Sequence, residues 1–185
     1  MRKVPKEHEG PIDNLLLDGC EVIAPYAHEI GMVPNDITLL SLIVSFVSTI
    51  ALKNRNVPVF ACLYMFSYFL DCLDGFTARK YDQCTITGDI LDHTTDLVSN
   101  LYLLGVIYTV YKPRPLIFGS IVAITFILMY ASLGCSQKLL PRRGEFLDIT
   151  RGTCPNGYER ILRAFSPGTF HVVIILLVCY LNGNK

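Results

Sequence analysis

Residues 71–96 read DCLDGFTARKYDQCTITGDILDHTTD and place four carboxylates where two apolar segments meet a polar turn. Asp71 and Asp74 are three residues apart, and Asp92 and Asp96 are four apart. Residues at these spacings project from one face of a helix, so each pair shares a face. Ionisable groups at membrane depth are functional candidates by default. Converging carboxylate oxygens favour Mg²⁺ or Mn²⁺ over zinc.

The composition of the chain indicates a membrane protein. Of its 185 residues, 51% are hydrophobic and 17% are charged, and the mean hydropathy is +0.41. The formal net charge is zero and no basic patch with interleaved aromatic residues is present, so we expect no nucleic-acid partner. The N-terminus, MRKVPKEHEG, lacks the apolar core of a cleaved signal peptide. We interpret the seven scattered cysteines as small packing residues rather than as disulfides or a zinc site.

Apolar patterning predicts an all-α integral membrane protein with five to six transmembrane helices, formed by residues 1–185 as a single domain. Residues 1–10 are polar and are predicted to be loose. Residues 11–30 have helical periodicity and are predicted to lie in the membrane interface; an amphipathic helix of a soluble domain is the alternative. The five predicted spans are 36–52, 57–72, 86–111, 115–133 and 162–181. A sixth would require a short helix within the polar stretch 134–163.

The distribution of basic residues predicts which way the chain crosses the membrane. With the N-terminus inside and five spans, eleven of the sixteen Lys and Arg residues fall on the cytoplasmic side. Both carboxylate pairs then face the cytoplasm. The basic run from Lys138 to Arg163 can meet anionic lipid headgroups or receive an anionic acceptor, and the headgroup interpretation is favoured.

The fixed positions of residues 71–96 resemble the signature of the CDP-alcohol phosphotransferase family, D-x2-D-G-x2-A-R-x8-G-x3-D-x3-D. The matching residues are Asp71, Asp74, Gly75, Ala78, Arg79, Gly88, Asp92 and Asp96. The resemblance implies that Asp71, Asp74, Asp92 and Asp96 bind two Mg²⁺ or Mn²⁺ ions. It also implies that Asp96 is the general base that takes the proton of the acceptor hydroxyl. No position of the signature is missing, so chance agreement is improbable.

The same resemblance implies further contacts with the CDP donor. The expected donor-binding residues are Asn35, Thr38, Gly75, Ala78, Arg79, Thr85 and Gly88. For Asn35 and Thr38, plain helix capping at the start of the first span is the alternative explanation. His93 directly follows a metal-ligand Asp and is either a direct participant in catalysis or a hydrogen-bonding neighbour. His171, on an apolar background in the last span, is interpreted as a packed or helix-bonded residue.

The resemblance implies an enzyme of phospholipid biosynthesis. The expected reaction is metal-dependent transfer of a phosphatidyl group from CDP-diacylglycerol to a small alcohol such as inositol, with release of CMP. A choline or ethanolamine phosphotransferase, in which diacylglycerol attacks CDP-choline or CDP-ethanolamine, remains open. The alternative from another class is a metal transporter or a non-catalytic scaffold, in which Gly75, Ala78 and Arg79 would have no task. The resemblance further implies a homodimer, in the endoplasmic reticulum if eukaryotic or in the plasma membrane if bacterial.

Overall fold

The computed structural model describes residues 1–140 and 146–184, and these residues form seven α-helices and no strand. The helices are α1 Pro11–Glu29, α2 Pro34–Lys53, α3 Val57–Lys80, α4 Ile86–Tyr111, α5 Pro115–Lys138, α6 Glu159–Leu162 and α7 Pro167–Gly183. Short 3-10 turns cover Lys6–His8, Phe146–Thr153 and Arg163–Phe165. The prediction of an all-α protein is therefore confirmed.

Proline and capping residues define most of the helix starts. Helices α1, α2, α3, α5 and α7 each have a proline in the first two positions, where the missing N–H costs no intrahelical hydrogen bond. The side chain of Asn56 accepts a hydrogen bond from Val59 N at the start of α3, and Thr85 accepts one from Gly88 N at the start of α4. Because α3 continues to Lys80, Asp71 and Asp74 both lie on its last turns.

Several of these helices are suited to the membrane. Within the described residues, α2, α3 and α5 are long and apolar enough to cross a bilayer. A fourth span results if α6 and the turn after it form one bent span with α7, at an angle of 48°. The chain is thus an all-α integral membrane protein. Helix α4 has 26 residues but carries carboxylates in its first half, and it is not among these candidates. A total of five to six spans stays a prediction.

The core lies where α2 and α3 pack along each other and meet α4 and α7. Leu52, Phe60, Ile107 and Val178 are fully buried in this main core. A second cluster joins α1 to α2 and α3, and its buried members include Leu17, Cys20, Ala24, Ile37 and Leu70. Helix α5 differs from its neighbours, because its buried residues all lie near its C-terminus and the rest of its surface is half-buried or exposed.

The N-terminal residues are packed against the helices, so the prediction that they are loose was wrong. Val4 is buried, and Arg2 donates a 2.9 Å hydrogen bond to Asn14 Oδ1 and forms an ion pair with Asp18. Arg79 Nε donates to the carbonyl of Met1 at 2.8 Å. The basic residues of this segment form ion pairs with Asp18 on α1, and the Met1 backbone is hydrogen-bonded to α3.

One pair of cysteines corrects the interpretation that all seven are unpaired packing residues. Cys135 and Cys154 form a disulfide, with their Cα atoms 4.8 Å apart. The pairing follows from the course of the chain, which returns after α5 so that the 3-10 turn Phe146–Thr153 packs on the end of that helix. Gly134 permits this approach, because a Cβ at that position would lie 2.3 Å from Thr150 O. The five other cysteines are free.

Candidate active site

Three of the four carboxylates meet where the end of α3 faces the start of α4. One oxygen each from Asp71, Asp74 and Asp92 lies within 4.8 Å of the others. Asp74 is buried, and Asp71 and Asp92 are half-buried. The helical spacing brings the first two onto one face of α3, and the turn at residues 81–85 brings Asp92 back to meet them.

The donor set of this acidic trio fits a divalent cation. Oδ1 of Asp71 and Oδ1 of Asp92 are buried and accept no hydrogen bond from the described part of the chain. Buried polar atoms are normally satisfied, and neighbouring carboxylates repel each other unless a positive charge lies between them. Oxygen-only ligands of this kind are those that Mg²⁺ and Mn²⁺ prefer.

Asp96 lies beside the acidic trio rather than within it. Together with Asp71 it lines a small cavity between α2, α3, α4 and α7, with room for about one water molecule. Other side chains around this cavity are those of Tyr64, Tyr68, Asn100 and His171. Asn100 Nδ2 donates to the backbone carbonyl of Asp96 at 2.9 Å, and Tyr64 Oη donates to Asn100 Oδ1 at 2.9 Å.

The start of α2 also contacts the trio. The buried hydroxyl of Thr38 donates a hydrogen bond to Asp74 Oδ2. Asn35 reaches the start of α4, because its Oδ1 is 3.2 Å from where a Cβ on Gly88 would lie. Thr85 Oγ1 accepts a 3.0 Å hydrogen bond from Gly88 N. The structure therefore brings these four predicted donor-binding residues beside the carboxylates, although their roles stay predictions.

The remaining predicted donor residues occupy the end of α3. The guanidinium of Arg79 lies over Gly75, whose Cβ, if present, would be 3.1 Å from Arg79 Nη1. Ala78 is half-buried, and its carbonyl accepts a 2.8 Å hydrogen bond from Gln83 N. Small residues here leave backbone accessible beside the guanidinium, which is the arrangement that close approach of a nucleotide needs.

His93 lies beside the trio and is bonded to its own helix. Its Nδ1 is 2.9 Å from the carbonyl of Asp89 and 3.4 Å from Asp92 Oδ2. These contacts suit a neighbour that orients Asp92, and a direct catalytic role for His93 stays an open alternative. His171 Nδ1 is 2.9 Å from Pro167 O, which confirms that this histidine is bonded to its own helix.

Two arginines of the basic stretch after α5 are bonded within the chain. Arg142 and Arg143 lie outside the described residues. Arg151 Nη1 donates to the carbonyl of Leu140 at 2.8 Å, and Arg163 donates to the carbonyl of Glu7. These two side chains bond backbone carbonyls of the same chain, and the choice between headgroup and acceptor for this stretch stays a prediction.

The sequence analysis missed Asp13 and its partners. Asp13 is buried in the first turn of α1, and its carboxylate accepts hydrogen bonds from Tyr68 Oη and from the Ser166 hydroxyl. Tyr68 in turn lines the cavity beside Asp71 and Asp96. The available signal was that Tyr68 precedes Asp71 by three residues and so shares its helix face. Its partners are far away in the sequence, so spacing could not identify them.

Comparison with known proteins gives a consistent result. The family model described as CDP-alcohol phosphatidyltransferase matches residues 31–152. The chain is 35% identical over 92 residues to CDP-diacylglycerol–inositol 3-phosphatidyltransferase 1 of Arabidopsis thaliana, which covers 50% of this chain and 40% of that protein. It is 32% identical over 122 residues to the CDP-diacylglycerol–inositol 3-phosphatidyltransferase of Saccharomyces cerevisiae, which covers 64% of this chain and 55% of that protein.

A second group of relatives carries a different name. The chain is 34% identical over 83 residues to human cholinephosphotransferase 1, covering 39% of this chain and 20% of that protein. The chain spans about half the length of the inositol phosphatidyltransferases that it matches. No solved structure matches it significantly.

Proposed function

Because the chain belongs to the CDP-alcohol phosphatidyltransferase family, we propose that it is a membrane enzyme of phospholipid biosynthesis. In this proposal it transfers a phosphatidyl group from CDP-diacylglycerol to a hydroxyl of a small alcohol and releases CMP. The single observation that supports it most is the trio Asp71, Asp74 and Asp92, set among the complete family signature at the junction of α3 and α4. Inositol is the proposed acceptor, because the relatives from Arabidopsis and yeast are named for it.

The acidic residues are proposed to hold two Mg²⁺ or Mn²⁺ ions. Asp71, Asp74 and Asp92 offer converging oxygens, and Asp96 lies next to Asp71. Such ions, when bound, neutralise a pyrophosphate and the negative charge that develops on a leaving phosphate. The hydrogen bond from Thr38 fixes the orientation of Asp74 and leaves its other oxygen for a ligand.

The donor is proposed to lie between the starts of α2 and α4 and the end of α3. The guanidinium of Arg79 presents a planar set of donors that can bind phosphate oxygens in pairs. Gly75 and Gly88 would leave room for the nucleotide, and Asn35 and Thr85 offer polar groups beside Gly88. Arg79 Nε donates to the Met1 carbonyl, so Nη1 and Nη2, which lie over Gly75, are the groups proposed to bind phosphate.

Asp96 is proposed as the general base. It lines the cavity beside the trio, which has room for a single hydroxyl group or water molecule. Proton transfer from the hydroxyl to Asp96 needs hydrogen-bond distance and then leaves an oxygen able to attack the β-phosphorus. The reaction in this proposal is a direct displacement, in which the new O–P bond forms as the bond to CMP breaks.

The enzyme is proposed to work at the cytoplasmic face of its membrane, as a homodimer. The excess of Lys and Arg on that side supports the orientation. The Cys135–Cys154 disulfide favours the opposite orientation, since disulfides are rare in reducing compartments. The proposal keeps the cytoplasmic orientation because eleven of the sixteen basic residues support it, and in that compartment the two cysteines would be thiols. The membrane would be that of the endoplasmic reticulum in a eukaryote and the plasma membrane in a bacterium.

A radiolabel assay in membranes tests the proposed function. Membranes that contain the protein and Mn²⁺ or Mg²⁺ receive CDP-diacylglycerol with labelled inositol, glycerol 3-phosphate or serine. A labelled lipid from inositol, absent with Asp96→Asn, is the expected result. Failure to form any lipid, together with no metal-dependent binding of CDP, would overturn the enzyme proposal and favour a scaffold or a metal transporter.

A second candidate is a choline or ethanolamine phosphotransferase. The observation that favours it is His93, directly after Asp92 and 3.4 Å from its carboxylate, together with the similarity to human cholinephosphotransferase 1. The same membranes receive labelled CDP-choline or CDP-ethanolamine with diacylglycerol. Product from this pair, without product from CDP-diacylglycerol, would replace the first candidate by the second.

A further inference from the structure

Asp13 joins three helices through a single buried carboxylate. Its oxygens accept hydrogen bonds from Tyr68 Oη on α3, from the Ser166 hydroxyl before α7 and from Gly168 N at 3.2 Å. The side chain is only 6% exposed. A negative charge at the first turn of α7 is stabilised by the dipole of that helix, and hydrogen bonds to a carboxylate are stronger than neutral ones.

The backbones at this junction approach so closely that two glycines are needed. A Cβ on Gly168 would lie 2.8 Å from Ile12 Cγ2, and a Cβ on Gly10 would lie 2.1 Å from Ser166 Oγ. The start of α1 and the start of α7 are therefore in direct contact around Asp13. This junction, defined by Gly10, Asp13, Ser166 and Gly168, leaves little freedom for either helix to shift.

Tyr68 connects the junction to the cavity beside Asp96. Its ring stacks on the ring of His171, with the centroids 4.0 Å apart, and the ring of Tyr64 lies 4.7 Å from the same imidazole. His171 is further held by the 2.9 Å contact of its Nδ1 with Pro167 O, next to the junction. All three rings line the cavity that also contains Asp71 and Asp96.

The junction contacts the cavity side of the candidate active site through Tyr68. The hydrogen bonds of Asp13 go to Tyr68 and to the start of α7, whereas the donor-side contacts run from Thr38 to Asp74 and from Asn35 toward Gly88. The described side chains that line the cavity are hydroxyl, phenol, amide, imidazole and carboxylate groups, and none of them is Lys or Arg. With room for about one water molecule, the cavity can receive the attacking hydroxyl of an acceptor, and this lining suits a neutral hydroxyl rather than a phosphate.

We propose that Asp13 is a positioning residue for a neutral acceptor alcohol. By holding the Tyr68 hydroxyl and the first turn of α7, it places Tyr68 and His171 at the cavity in which the acceptor hydroxyl meets Asp96. The inference rests on the proposed function, because it assigns one side of that site to the acceptor.

Separate Michaelis constants for the two substrates test the proposal. Asp13→Asn removes the charge, and Tyr68→Phe removes only the hydroxyl while keeping the ring that stacks on His171. Each should raise KM for the alcohol about tenfold and leave KM for the CDP donor within about twofold, since a charge-assisted hydrogen bond is lost on one side only. The double variant should lose little more than either single variant, because both disrupt the same contact.

Asp18→Asn is the matched control on the exposed face of α1, where Asp18 pairs with Arg2 and Lys6. It should leave both KM values unchanged. Equal changes in the two KM values for Asp13→Asn or Tyr68→Phe, or additive effects in the double variant, would overturn the acceptor-side role of Asp13.

Hydrogen exchange separates this proposal from the proposed function. In Asp13→Asn, the amides of residues 168–171 should exchange at least tenfold faster, whereas those at the start of α2 should not change. Unaltered exchange at residues 168–171 would overturn the role of Asp13 in holding α7. A wild-type protein that makes no lipid from any alcohol, yet shows the faster exchange in the variant, would overturn the proposed function instead.

Discussion

The Thr38 hydroxyl on α2 donates a hydrogen bond to Asp74 Oδ2 on α3, so a helix outside the acidic signature orients one of its carboxylates. Asp74 is buried, and a carboxylate that is both buried and oriented has few alternative rotamers when a cation arrives. Partners of this kind influence metal affinity although they touch no metal themselves.

Replacing this hydroxyl should weaken metal binding. Thr38→Val keeps the side-chain shape and removes the donor, so the Mn²⁺ concentration for half-maximal CDP binding should rise about tenfold or more. This concentration is measured by following CDP binding while Mn²⁺ is added. Thr109→Val is the control, because that hydroxyl donates only to its own helix at Val106 O. An unchanged Mn²⁺ requirement in Thr38→Val would mean that the contact does not orient a metal ligand.

Replacing Asp96 and replacing Asp71 should have different effects on turnover and on CDP binding. Asp96→Asn should lower turnover by about 10²-fold or more while part of the Mn²⁺-dependent CDP binding is retained, because the general base is lost but Asp71, Asp74 and Asp92 still offer their oxygens to a metal ion. Asp71→Asn should lose both turnover and Mn²⁺-dependent CDP binding, since Asp71 belongs to the trio. Lipid synthesis and CDP binding are measured on the same membranes. Normal turnover in Asp96→Asn would exclude this residue as the base.

A methyl group at Gly88 should disturb the donor side. In Gly88→Ala the new Cβ would lie 2.9 Å from Thr85 Oγ1 and 3.2 Å from Asn35 Oδ1, so both side chains must move. We expect KM for the CDP donor to rise about tenfold, because small displacements in a binding site are costly. Gly105→Ala on the same helix meets nothing within 4 Å and should leave KM unchanged. The same KM for the CDP donor in Gly88→Ala and Gly105→Ala would argue against a nucleotide beside Gly88.

Glu9 should make the stability of the protein depend on pH. Burial, with a contribution from the charge of Asp13, raises the pKa of Glu9 from 4.5 to about 7. The folded state then binds more protons than the unfolded state between these values, so stability should fall as the pH rises through this range.

Thermal unfolding in detergent at pH 5 and pH 8 measures this effect. Glu9→Gln should be more stable than the wild type at pH 8 by about 4 °C, and the difference should shrink toward pH 5. Glu7→Gln, at an exposed neighbouring position, serves as the control. A difference of the same size at both pH values would show that the gain does not come from proton binding at Glu9.

The part of the site that the sequence predicted is the part defined by local spacing. Asp71, Asp74 and Asp92 converge because three- and four-residue intervals fix a helix face and a short turn reverses the chain. The family match covers residues 31–152 and so includes these elements, whereas α1 and α7 lie outside it. Local patterns therefore predicted the all-α fold and the convergence of three of the four carboxylates, whereas the number of spans and the metal-ligand roles stay predictions.

The missed features depend on contacts between distant parts of the chain. Asp13 bonds Tyr68, Ser166 and Gly168 across most of the sequence, and neither its residue type nor its spacing indicates those partners. The disulfide between Cys135 and Cys154 requires the reversal after α5, which the Pro and Gly residues of that stretch allow but do not determine. Tertiary packing, rather than local propensity, decides such contacts.

Helix α5 has a consequence for how the protein is handled. Its buried residues, Ser132, Gly134, Cys135 and Gln137, all lie at one end, while the rest of the helix is half-buried or, like Leu116 and Ile127, exposed. An apolar helix that its own chain encloses so little takes its position from whatever surrounds it, whether lipid, a micelle or another protein. Solubilisation should therefore disturb α5 before it disturbs the acidic trio. A preparation that still binds CDP can therefore already have lost the native position of α5. The oligomeric state should be measured in both nanodiscs and micelles before it is assigned.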